Sequence, residues 1–262
     1  MAEALGVEVV QHDDGSRDGM HDLDILRADR RDAAEVTAAA DAESIQLWKL
    51  VTDRGDRWIV PALKGGWSVT LEPSARAKRV LVELPDLLAE MERRGVREYR
   101  RRLTRRPLVD PIELHAVDLG VINASQGDTS YPGAIYPGIH QARERMGGIV
   151  DPMCGDLPPW VAGFLAEPKQ ADVRAKLARS GAVERHAFII LPVFTTAPFC
   201  VVDPLWRGAT PADAPALPAE ITHVWMASLW TIATGLRWSP TTGWTTFRSN
   251  LDQVADVPAD GP

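Results

Sequence analysis

Cysteine and long apolar runs are scarce in this 262-residue chain, and its 29 Lys and Arg are outnumbered by 36 Asp and Glu. Two cysteines, Cys154 and Cys200, cannot build a disulfide framework, and neither stands in a CxxC pair. No stretch approaches the roughly 18 consecutive apolar residues of a membrane helix. The first residues, MAEALGVEVVQHDDG, are acidic and lack the apolar centre of a secretory signal. The loop 124–128 (ASQGD) lacks the Gly-Lys-Ser/Thr ending of a phosphate-binding loop, and no GxSxG surrounds a serine. A cytoplasmic protein without a membrane partner is the expectation. Hydrophobic residues at 45% and charged residues at 25% are ordinary globular usage, which excludes collagen, a coiled-coil rod and a disordered chain.

What is present is an uneven charge. Residues 1–60 hold 14 acids and 7 bases, whereas residues 61–202 hold 16 acids and 19 bases. The formal total of −7 therefore belongs to the first 60 residues. Eight arginines (Arg93, Arg94, Arg97, Arg100, Arg101, Arg102, Arg105 and Arg106) fall between positions 93 and 106. Such a stripe either contacts phosphates, above all through Arg97, Arg100, Arg101 and Arg105, or is a solvated helix face. Nucleic acid is thus one candidate partner.

The patterning predicts an α/β fold with a mixed, mostly antiparallel central sheet flanked by helices. Alternation predicts strands over 7–12, 21–26 and 33–39, with Asp13-Asp14-Gly15 as a turn. Asp41 caps a helix through about Val51, and strands follow at 58–63 and 67–71. Ser74 opens a long helix in which Pro85 predicts a kink or break, and a second helical piece carries the arginines to Pro107. Further strands are expected at 114–122, 186–194, 199–202 and 221–227, with a helix over 172–180 and a hairpin joining 236–238 to 244–247. Residues 123–138 read as a loop. The expected division is a core over 1–106 and a Trp-rich extension over 107–262.

The chemistry-bearing pattern is in the acidic third. Asp22 and Asp24 lie two apart on the second strand, as Glu35 and Thr37 do on the third. If these strands pair, Asp22 or Asp24 converges with Glu35. Two carboxylates on a strand pair suit a hard divalent cation such as Mg²⁺ or Mn²⁺. They equally suit a solvent-exposed strand face.

HDLDI followed by AEVT resembles the motif of the restriction-endonuclease-like nuclease superfamily: an Asp, a gap, then Asp/Glu-x-Lys. The resemblance covers about residues 1–60. It implies an endonuclease-like core, with Asp22 and Glu35 as metal ligands and Asp24 as an auxiliary one. Thr37 falls where the family has its catalytic lysine, and a hydroxyl cannot supply that positive charge. Either the role has moved to Lys49 or Gln46 on the following helix, or the site is degenerate and the fold binds without cleaving. The resemblance thus implies a nuclease-like, metal-dependent phosphodiesterase, active or degenerate, with a non-catalytic binding module as the alternative.

Other residues read more plainly. His21 is expected to point away from Asp22, and His12 to belong to an ordinary turn. Cys154 with His140 or His186 carries no nucleophile signature. Trp206, Trp225, Trp230, Trp238 and Trp244 crowd residues 206–244, as the core of a small sheet or as an anchor for a protein partner.

Overall fold

A computed structural model describes residues 1–52, 57–101, 110–127, 131–140, 150–229 and 234–248. In chain order, α1 (Ala2–Leu5), β1 (Glu8–Gln11), β2 (Leu23–Leu26) and β3 (Arg31–Ala38) come first. Next are α2 (Ala42–Thr52), β4 (Trp58–Ile59), β5 (Trp67–Leu71), α3 (Ala77–Arg93), β6 (Glu98–Arg100), α4 (Pro111–Asp118), β7 (Val121–Gln126) and β8 (Ala134–Ile139). The chain ends with α5 (Leu157–Ala166), a 3₁₀ turn (Pro168–Gln170), α6 (Ala171–Arg179), β9 (Arg185–Leu191), α7 (Phe199–Arg207), β10 (His223–Ser228), β11 (Thr234–Ser239) and β12 (Gly243–Arg248). No helix among the described residues is long and apolar enough to cross a membrane.

The chain forms two compact units, one of residues 1–39 and 145–262, the other of residues 40–144. The expected boundary at residue 106 is corrected by this division. Parallel pairing of β3 with β9, from Ala33↔Arg185 to Ala38↔Ile190, ties the first 39 residues to the last third and leaves residues 40–144 as an insertion.

The first unit has a seven-stranded sheet in the order β1-β2-β3-β9-β10-β11-β12. Its β3·β9 and β9·β10 pairs are parallel, and the outer pairs are antiparallel. The sheet is thus mixed, with its parallel pairs at the centre. β9 reads RHAFIIL because both faces are covered. Val161 and Leu165 of α5, Leu177 of α6 and Val201 and Leu205 of α7 pack on Ile189, Leu191, Val224 and Met226. Trp225 and Phe247 form a smaller cluster with Met1, Ala4 and Leu5 of α1.

The second unit has a five-stranded sheet in the order β4-β8-β5-β7-β6, with β5·β8 parallel. Leu84, Leu87, Leu88 and Met91 of α3 pack in one buried cluster with Val69, Leu71 and Val121. Helix α3 runs through Pro85 without a break.

Four local expectations are corrected. Residues 114–118 are helical, because the Asp110 side chain accepts the Ile112 N–H at 2.7 Å and Pro111 occupies the first turn. Residues 199–202 belong to α7, which ends at Gly208 in the left-handed conformation (φ 63°). Residues 134–139 form β8 inside the expected loop, and Arg100 lies on β6, not on a helix.

Candidate functional site

The β2–β3 register, with Leu23↔Ala34, sets Asp22 opposite Glu35 where β2 begins. Each side chain takes the other strand's backbone. The Asp22 N–H donates to Glu35 Oε2 at 3.0 Å, and the Val36 N–H donates to Asp22 Oδ2 at 2.7 Å. Glu35 is buried because β3 is an interior strand, flanked by β2 and β9.

A third group arrives from α6. The Lys176 ammonium donates to Glu35 Oε1 at 2.8 Å and lies 3.6 Å from Asp172 one turn earlier. Val173 and Leu177 seat α6 on the core, and the helix packs against β3 and β9. The Lys176 side chain is only 16% exposed where it reaches the carboxylate. Burial pushes Glu35 up to about 7; the Lys176 hydrogen bond pulls it down and the Asp22 charge adds to the rise. The same hydrogen bond holds the Lys176 ammonium above its ordinary range.

Thr37, two residues beyond Glu35, donates from Oγ1 to Gln170 Oε1 at 3.0 Å. Gln170 is buried in the turn that opens α6. Two positions of α6 and its leading turn thus meet two positions of β3. Lys49 and Gln46 were the residues expected to stand in for the missing lysine. Both lie on α2 of the second unit, and the cation on Glu35 is Lys176. Lys176 was legible only indirectly: the helix over 172–180 precedes the most apolar strand, but nothing local paired that strand with β3.

Asp24 is drawn into a different group. His12 Nδ1 lies 3.1 Å from its Oδ2, His21 Nε2 lies 2.8 Å from its Oδ1, and Arg31 lies 3.4 Å away. The expectation that Asp24 assists Glu35 is corrected, because the β1–β2 hairpin brings Asp24 together with His12 and His21.

A further group, Glu184, His186 and His223, belongs to an ion-pair lattice. Arg27 and Arg30 each bind both Asp32 and Glu184, and the Glu184 N–H donates to Asp32 at 3.2 Å. The Trp225 indole donates to His186 Nδ1 at 3.1 Å. The neutral ring therefore carries its proton on Nε2, which is buried, has no hydrogen-bond partner among the described residues and has no lone pair for a metal. Burial pushes His186 down to about 3, so it stays neutral.

The arginines are not one face. Arg93 and Arg94 bind Glu90, Arg101 binds Glu72, and Arg97 and Arg100 are exposed. Arg105 lies outside the described residues. All belong to the second unit, whereas Asp22, Glu35 and Lys176 belong to the first. Trp225 and Trp244 are buried and Trp238 packs against the core, as a sheet core requires; Trp206 on α7 is 43% exposed, and Trp230 lies outside the described residues.

Comparison with protein-family models, curated proteins and solved structures finds no match. The functional reading therefore rests on the site alone.

Proposed function

We propose that the first unit is a nuclease-like core on which Asp22 and Glu35 hold Mg²⁺ or Mn²⁺ and Lys176 supplies the positive charge that Thr37 lacks. The observation that carries this is the Lys176 ammonium on Glu35 Oε1, beside Asp22. The resemblance asked for two acids and a lysine, and these three side chains come together from the start of β2, from β3 and from α6. The helix that the resemblance counted after the third strand, α2, falls in the second unit; within the first unit the helix packed against β3 is α6.

The donor set suits a hard divalent ion. It offers carboxylate oxygens and no sulfur, and the Asp22 charge that raises Glu35 is a repulsion that a dication relieves. When bound, such an ion lowers the pKa of its water and offsets charge on a phosphodiester. The chain's own contribution is positional. Val173 and Leu177 fix α6, the Thr37–Gln170 bond anchors its first turn, and Lys176 is held charged at the carboxylate. The substrate expected from this chemistry is a nucleic acid backbone.

The test incubates purified protein with plasmid, single-stranded DNA and RNA in Mg²⁺ or Mn²⁺, beside Glu35→Ala and with a chelator control. Metal-dependent cleavage by the wild type alone is the expected result. Equal cleavage by both proteins, or by neither, removes the catalytic reading.

A second reading is a non-catalytic binding module on the same fold. It is favoured by the closed hydrogen-bonding of the site, in which Asp22, Glu35 and Lys176 already satisfy one another. A binding titration across salt separates partners: phosphate contacts make affinity fall steeply as salt rises, whereas a protein partner seated on the exposed Trp206 gives a weak salt dependence.

A further inference from the structure

His12 follows β1, His21 precedes β2 and Asp24 lies on β2. Antiparallel pairing of the two strands, with Val10↔Asp24 and the His12 N–H on the Asp22 carbonyl at 2.8 Å, closes the three side chains on one another. Each oxygen of the Asp24 carboxylate faces one imidazole nitrogen, Oδ2 to His12 Nδ1 at 3.1 Å and Oδ1 to His21 Nε2 at 2.8 Å. The two rings are stacked, with centroids 4.0 Å apart and planes 7° from parallel. The three ligand atoms lie within 4.8 Å of one another. Asp24 is 6% exposed and His21 8% exposed, whereas His12 is half-buried.

We propose that His12, His21 and Asp24 form a binding site for one divalent first-row transition ion, of the Zn²⁺ or Co²⁺ class, with at least one coordination position left for water or another ligand. The inference does not depend on the reading of Asp22 and Glu35.

Three arguments support it. The first is donor chemistry. Two imidazoles and one carboxylate are the ligands of zinc and related borderline ions, whereas Mg²⁺ takes oxygen. The second is spacing. Donors bound tetrahedrally at about 2.0–2.1 Å sit roughly 3.3 Å from each other. The observed 2.8 and 3.1 Å are within about half an ångström of that. The third is charge. Among the described residues, the one lysine or arginine within ion-pair distance of the buried Asp24 carboxylate is Arg31, at 3.4 Å, whose side chain is 72% exposed. An exposed arginine compensates a buried carboxylate weakly, and a dication between the carboxylate and two neutral imidazoles compensates it directly. The half-buried His12 gives the ion a path from solvent.

The decisive experiment strips metal from the full chain, then titrates Co²⁺ by visible absorption and Zn²⁺ by calorimetry. With excess Mg²⁺ present to occupy the Asp22 and Glu35 carboxylates, one ion per chain is expected, with the absorption of nitrogen- and oxygen-ligated cobalt. His12→Ala is expected to weaken binding about 100-fold or more, since even partners outside the ligand set cost 10–100-fold. Asp24→Asn is expected to abolish it, and Glu35→Gln to leave it unchanged. His12 is half-buried, so its variant keeps the fold; a circular dichroism spectrum checks this, and His12→Gln provides a second variant of similar bulk. The proposal is overturned if the wild type binds no ion saturably, if His12→Ala and His12→Gln both bind as the wild type does, or if Glu35→Gln abolishes the cobalt signal, which would put the ion at the other carboxylates.

Discussion

Lys176 and Glu35 stand 141 residues apart in sequence and 2.8 Å apart in space. The contact joins the helix leading into β9 to the strand that β9 pairs with, so it holds the crossover where the two segments of the first unit meet. Lys176→Met leaves the Glu35 carboxylate buried without its cation. A lost charged hydrogen bond of this kind is expected to cost about 2 kcal/mol at pH 8. The cost shrinks at pH 6, where Glu35 takes up a proton. Urea unfolding of both proteins at the two pH values checks this.

Glu35 itself makes stability fall as pH rises. Its carboxyl titrates at about 7 when folded, against 4.5 as its ordinary value, so between these values the native state binds more protons than the unfolded state. Relative to Glu35→Gln, the wild type is expected to lose about 3 kcal/mol across this window. Equal slopes of stability against pH in the two proteins would refute the assignment.

His186 acts with the opposite sign. Its folded pKa is pushed down to about 3 from 6.5, so the unfolded chain binds the extra proton and stability is lost as pH falls below 6.5. His186→Gln is expected to flatten the acid limb of the stability profile. Unfolding midpoints between pH 4 and 7 measure the change.

Asp32 is the fully buried centre of the Arg27, Arg30 and Glu184 lattice. Asp32→Asn removes the charge while both guanidiniums remain. A loss of about 3 kcal/mol is expected, read as a fall in melting temperature. The conservative Glu184→Gln, at a half-buried residue, is expected to cost less.

Gly235 faces Phe247 across the β11–β12 pair, and a Cβ built on it would lie 2.2 Å from the Phe247 ring. Gly235→Ala must push that ring off its edge-on contact with Trp225. The expected cost is about 1–3 kcal/mol, seen together with a change in tryptophan fluorescence.

Much of the local structure was legible because it depends on neighbours in sequence. The 67–71 strand, the 172–180 helix ending before Gly181 and the 236–247 hairpin follow from period, cap and turn chemistry. The reading failed where two local signals competed. At 114–118 the apolar run suggested a strand, but the Asp110 cap and Pro111 decided for helix. The arginine stripe looked like one helix face, yet its middle forms β6 on the edge of a sheet, next to β7.

The sequence by itself determined the acids, their alternation on two short strands and the absence of a lysine at position 37. Tertiary structure alone decided which groups meet them. A β3–β9 pairing across an inserted unit of about a hundred residues leaves no periodic trace in the chain, so the ammonium group on Glu35, which α6 brings, could not be read from the neighbours of Glu35 in sequence. The same limit applied to His12, His21 and Asp24. Each was read against its own strand, but hairpin register, which is long-range information, turns them into one cluster.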